Sequence, residues 1–148
     1  MLLEILHHDR EEYPWLYAPQ EDGDVYRWVS TLGAYSPIIH LQQTDGLHSS
    51  HDPFHIGDDD DPTKKVNGKQ LLEALKTAYG RTIDPNMPAP CQDIVLTLDL
   101  FGGTAELASD IKNKIKDSVA YWRQFIPRDG QPLDVLVSKV NGENLKIY

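Results

Sequence analysis

The stretch DIVLTLDLF, residues 93–101, sets Ile94, Leu96, Leu98 and Leu100 against Val95, Thr97 and Asp99. This period of two predicts a β-strand with one apolar face. Upstream, residues 82–92 carry three prolines and read as a linker. Before the linker, NGKQLLEALKTAYG (67–80) places Leu71, Leu72, Leu75 and Ala78 at helical spacing and ends on Gly80. Further back, SPIIHLQ (36–42) is a second run of β-formers, opened by a proline that cannot donate to a ladder, and it reads as a buried strand. DVYRWVSTLG (24–33) precedes it, with Val25, Trp28, Val29 and Leu32 on one helical face and Gly33 as the cap. Downstream of residue 101, the segment 106–126 aligns Leu107, Ile111, Ile115, Val119 and Trp122 as a long helix. LDVLVSKV (133–140) fits either a strand or a helical turn. Strands that alternate with helices in this order predict an α/β fold with a parallel sheet.

The chain of 148 residues is the size of one domain, with 40% hydrophobic and 25% charged residues. Fourteen Lys and Arg against 23 Asp and Glu leave a formal charge of −9, a field that repels polyanions and argues against nucleic acid as a partner. The single cysteine, Cys91, allows no internal disulfide and shows no activating neighbour, which fits a cytoplasmic setting. The opening MLLEILHHDREEYPW is too short and too polar for a signal-peptide core or a membrane span, so no membrane association is expected.

Between the strand at 36–42 and the helix at 67–80 lies a loop of 25 residues, Thr44 to Gly68, dense in Asp, Gly, Ser, His and Pro. Loops of that length are usually functional or disordered. In parallel sheets ligands collect beyond the carboxyl ends of strands. His40 and Asp99 both stand at or near such ends. Gln42 follows His40 by two, so strand geometry turns both to one face. The acidic run Asp58 to Asp61 lacks the ligand spacing of a calcium loop and reads as solvated. Trp28, Tyr121 and Trp122 read as packing residues, and His48 and His55 as exposed.

Through SPIIHLQQTDG, SSHDPF, DIVLTLDLF and SVAYWRQF, roughly residues 23 to 130, the sequence resembles the carboxyl-terminal part of the xylose-isomerase-like (β/α)₈ TIM-barrel sugar phosphate isomerases/epimerases. Within that family it is most similar to members acting on tetrulose phosphates in erythritol catabolism. The resemblance implies the final β/α units of a barrel that is incomplete in this chain, with residues 1–148 as one partial-barrel domain. A full barrel takes about 250 residues. Truncation of a longer chain is the favoured expectation for the missing half, and a half-barrel that completes itself as a homo-oligomer is the other.

The resemblance also implies chemistry. Epimerisation beside a carbonyl needs a Lewis acid to stabilise an enediolate and a carboxylate to move the proton. In the family a strand-seven histidine and a strand-eight glutamate help to hold a divalent metal. By position these are His40 and Asp99, the latter one methylene shorter than the usual Glu, and the metal is Mn, Mg, Co or Zn. Gln42 and His51 are the expected contacts to a small sugar phosphate. Asp52 replaces an aromatic residue of the family's motif. Two readings stand beside the isomerase: a catalytically inactive half-barrel, and a metal-dependent phosphoesterase or endonuclease on the same barrel type.

Overall fold

The computed structural model describes residues 2–48, 50–100, 102 and 105–142. Five helices and two strands follow one another as α1 (Leu2–Glu12), α2 (Val25–Leu32), β1 (Ile38–Leu41), α3 (Gly68–Gly80), β2 (Val95–Leu98), α4 (Ala108–Phe125) and α5 (Leu133–Val140), with short 3₁₀ turns between them. The strands pair in parallel, Ile39 opposite Leu96 and Leu41 opposite Leu98, and α3 lies between them in sequence. The expected α/β order is therefore present as one βαβ unit. The sheet among the described residues has two strands.

Helices α2 and α3 start where a side chain answers a free amide. Asp24 accepts from the Tyr26 N–H at 2.9 Å to open α2, and Asn67 accepts from the Gln70 N–H at 3.0 Å to open α3. Helix α3 then buries Leu71, Leu72, Leu75 and Ala78, the four positions its periodicity marks. Gly33 continues α2 into a 3₁₀ turn instead of capping it in the left-handed region. Its missing side chain matters for packing, because a Cβ there would stand 2.8 Å from the Leu75 methyl.

The core gathers Leu41, Phe54, Leu71, Leu72, Tyr121, Trp122, Phe125, Leu136 and Val137, with Ile39, Leu96 and Leu98 packed against it. One face of the sheet thus meets the core. The other carries Ile38 and Val95, which are paired in register and each 55% exposed, together with exposed His40. The expectation of a wholly buried strand is corrected on that face. Parallel sheets are ordinarily covered on both sides, and the described residues supply cover for one.

Helix α4 departs from its sequence pattern. Ser118, Tyr121, Trp122 and Phe125 are buried, whereas Leu107, Ile115 and Val119 are exposed. Only the carboxyl-terminal half of α4 reaches the core, and the face it buries there shares only Trp122 with the apolar stripe that periodicity identifies. Trp28 is likewise half exposed, its indole N–H donating to the Asp22 carbonyl at 2.7 Å. The ambiguous LDVLVSKV segment is helical and buries Leu136, Val137 and Ser138.

Candidate functional site

Strand β1 ends at Leu41, and the chain turns away into the long loop. It comes back at Asp52, whose backbone exchanges two hydrogen bonds with Gln43, at 2.9 and 3.0 Å. That return sets His51 beside the strand end that carries His40. Asp99 is held at the same level from β2, its N–H donating to the Leu41 carbonyl at 2.8 Å. The three side chains converge. His40 Nδ1 lies 3.8 Å and His51 Nδ1 3.3 Å from the same carboxylate oxygen, Asp99 Oδ2. Each contact becomes an ion pair when its imidazole is protonated.

His51 is the one non-glycine residue with a left-handed backbone among those described, at φ 49°. For a residue with a Cβ this costs about 1–2 kcal/mol, which the surrounding bonds must offset. They do so on both sides. Beyond the Asp52 bridge, Phe54 is fully buried, stacked 5.1 Å from Tyr121 and edge-on to Trp122 at 5.2 Å, and its N–H donates to the buried Ser118 hydroxyl at 3.0 Å. The loop is also closed at its base, where the Lys65 N–H donates to the Thr44 carbonyl at 3.0 Å. Its tip is organised by Asp45, which accepts from Leu47 and His48 N–H groups. The Leu47 N–H, with the His48 contacts adding to it, holds the Asp45 carboxyl below the ordinary carboxylate range.

The acidic run is not wholly solvated, and the expectation is corrected for Asp58. Asp58 is buried, its Oδ2 accepting from the His55 N–H at 3.0 Å and from Gln43 Nε2 at 3.2 Å. Asp59 accepts from the Tyr121 hydroxyl at 2.6 Å, and that hydroxyl accepts from the Gly68 N–H at 2.9 Å. Burial, reinforced by the hydrogen bond to Asp59, drives the Tyr121 phenol well above its usual range. Asp59, Asp60 and Asp61 are exposed as expected.

The four residues singled out from sequence separate into a group and an outlier. His40, His51 and Asp99 come together. Gln42 lies one residue past the strand, half-buried beside them in sequence, while the adjacent Gln43 is fully buried. Gln43 is the residue that sequence reading missed, and its signal was present. The alternation Ile39, Leu41, Gln43 turns it toward the core, where an amide must find partners. His48 and His55 are exposed, the first 3.3 Å from Asp45 and the second 4.0 Å from Asp117.

Two imidazoles and a carboxylate are the donor types that a divalent transition metal takes. Bonds of about 2.0–2.2 Å would set neighbouring donors about 3 Å apart. The donors thus fit in kind, and the 3.3 Å spacing of His51 and Asp99 comes near to it. Among the described residues, however, no three such side chains are arranged as they stand to hold an ion. No helix among them is long and apolar enough to cross a membrane. In comparisons with protein-family models, with curated proteins and with solved structures, nothing matches the chain.

Proposed function

We propose that the chain carries the strand-end portion of a sugar phosphate isomerase/epimerase site, acting on a small ketose phosphate such as a tetrulose phosphate and drawing on a divalent metal. The observation that carries this reading is the convergence of His40 and His51 on one oxygen of Asp99, beyond the carboxyl ends of two parallel strands. That is where α/β sheets place their ligands. The resemblance to the final β/α units of a TIM barrel supports it, and so does the bare sheet face, which further strands of a barrel or a homo-oligomer would cover.

In this reading His40 and Asp99 hold the metal, Mn, Mg, Co or Zn. The bound ion supplies Lewis acidity at the substrate's carbonyl oxygen. The remaining work belongs to the chain. Both imidazoles address Asp99 Oδ2, which leaves Oδ1 to take and return the proton on the carbon beside the carbonyl. His51 fixes the carboxylate plane and, with Gln42, contacts substrate hydroxyl or phosphate oxygens. The small sugar phosphate is the expected partner, in a cytoplasmic setting.

A second reading, a catalytically silent half-site, is favoured by one observation: among the described residues no three ligands stand in place to hold an ion. A single experiment separates the two. Mn²⁺ is titrated calorimetrically into the wild-type chain and into His40→Ala, and solvent deuterium exchange at the carbon beside the carbonyl of a tetrulose phosphate is followed by NMR. The isomerase reading expects metal binding at least about tenfold weaker in His40→Ala, the scale on which a lost ligand interaction acts. It also expects exchange that Asp99→Asn abolishes. Equal metal affinity in both proteins, with no exchange in the wild type, would leave the silent half-site.

A further inference from the structure

We infer that Gln43 is the positioning residue of this site, the group that holds His51 against Asp99; the inference rests on reading His40, His51 and Asp99 as one site. Gln43 is fully buried. Its Oε1 accepts from the Thr44 N–H at 3.1 Å and the Val66 N–H at 2.9 Å, and its Nε2 donates to the Val66 carbonyl at 2.9 Å and to Asp58 Oδ2 at 3.2 Å. These four bonds use both donors and both acceptor positions of a primary amide. Its backbone adds the two bonds to Asp52.

One residue therefore meets the loop at four places: where it leaves β1, at Asp52, at Asp58, and at Val66 where it delivers the chain to α3. The segment that follows His51 is pinned at both of its ends, at Asp52 through the backbone and at Asp58, whose carboxylate also receives the His55 N–H. His51 sits against this clamp in its left-handed conformation. A side chain there relaxes toward ordinary backbone geometry once its flanks are released, and relaxation turns the imidazole away from Asp99. No other residue type replaces Gln43. Glutamate lacks the two donors, asparagine is one methylene shorter, and an apolar residue leaves the Val66 N–H and carbonyl, the Thr44 N–H and Asp58 buried without their partner.

The test reads the His51 to Asp99 contact directly in the full chain. Imidazole resonances are recorded by heteronuclear NMR with and without Asp99→Asn, and the change at His51 measures the contact. The same pair of spectra is recorded in Gln43→Met, which conserves volume and removes every polar partner. The expected result is loss of the Asp99-dependent change at His51 in Gln43→Met while far-ultraviolet circular dichroism remains that of the folded chain. A role in stability alone would lower the unfolding midpoint and leave the change intact, and that outcome overturns the proposal. Should Gln43→Met fail to fold, Gln43→Glu decides. It keeps the acceptor side and turns a carboxylate oxygen toward Asp58 and the Val66 carbonyl, so the same loss is expected and an intact change refutes the inference. Mn²⁺ binding measured on the same samples keeps the two readings apart: a wild-type chain without metal affinity counts against the metal chemistry, not against the positioning.

Discussion

Replacing Phe54 by alanine tests whether the long loop is part of the core. The ring is fully buried between Tyr121 and Trp122, whose centroids lie 5.1 and 5.2 Å away. Truncating a buried phenylalanine costs about 3–5 kcal/mol through lost transfer energy and the cavity left behind. Against a domain stability of about 5–15 kcal/mol this is a large fraction of the total. With a urea dependence of about 2 kcal/mol per molar, a loss of about 4 kcal/mol moves the unfolding midpoint down by about 2 M. The assay is urea denaturation followed by circular dichroism at constant pH. Ile56→Ala is the internal control, two residues along the same loop but 68% exposed, and it should change stability by no more than about 0.5 kcal/mol. The reasoning fails if the two variants shift the midpoint equally. In that case the segment that delivers His51 would not be anchored by Phe54, and the convergence on Asp99 would lose its support.

Alkaline pH should weaken the fold through Tyr121. Its phenol is raised above the ordinary 10.0, chiefly by burial, so above that value the unfolded chain releases a proton that the folded chain retains, and stability falls as pH rises. Tyr26 and Tyr79, also raised by burial, act in the same direction. Urea midpoints measured from neutral pH into the tyrosine range should decline less steeply in Tyr121→Phe, and parallel declines would contradict this. Gly68→Ala should destabilise although alanine is the better helix former. Its Cβ would fall 2.5–2.9 Å from three ring atoms of Phe125, an overpacking cost of about 1–3 kcal/mol that outweighs a propensity gain of at most about 1 kcal/mol. A raised unfolding midpoint in Gly68→Ala would refute the packing described for the start of α3.

Much of the local structure was legible because periodicity reports burial wherever an element is covered on one side. Helix α3 buries the residues its spacing marks, and β1 and β2 turn Ile39, Leu41, Leu96 and Leu98 toward the core as alternation requires. The stripe on α4 was misleading for a physical reason. Spacing shows which residues share a face, not from which side the neighbouring elements approach, and here Ser118, Tyr121, Trp122 and Phe125 are covered while Ile115 and Val119 stay exposed. Of the candidate site, His40 and Asp99 stood out as polar residues at strand ends. His51 was placed at the site by the resemblance, not by any spacing within the loop.

The sequence by itself determined the order of helices and strands from α2 to α4, the inward faces of the βαβ unit and the two strand-end groups, because each depends on neighbours within a few residues along the chain. Only the tertiary structure decided that Gln43 and Asp58 lie inside, that Phe54 belongs to the core and that His51 meets Asp99. Those outcomes depend on partners far away in sequence, Ser118 for the Phe54 N–H, Val66 for the Gln43 amide and Gln43 for the Asp58 carboxylate. A loop rich in polar residues has no period to announce which of them turn inward. The hydrogen bonds available once the chain has closed on itself make that selection.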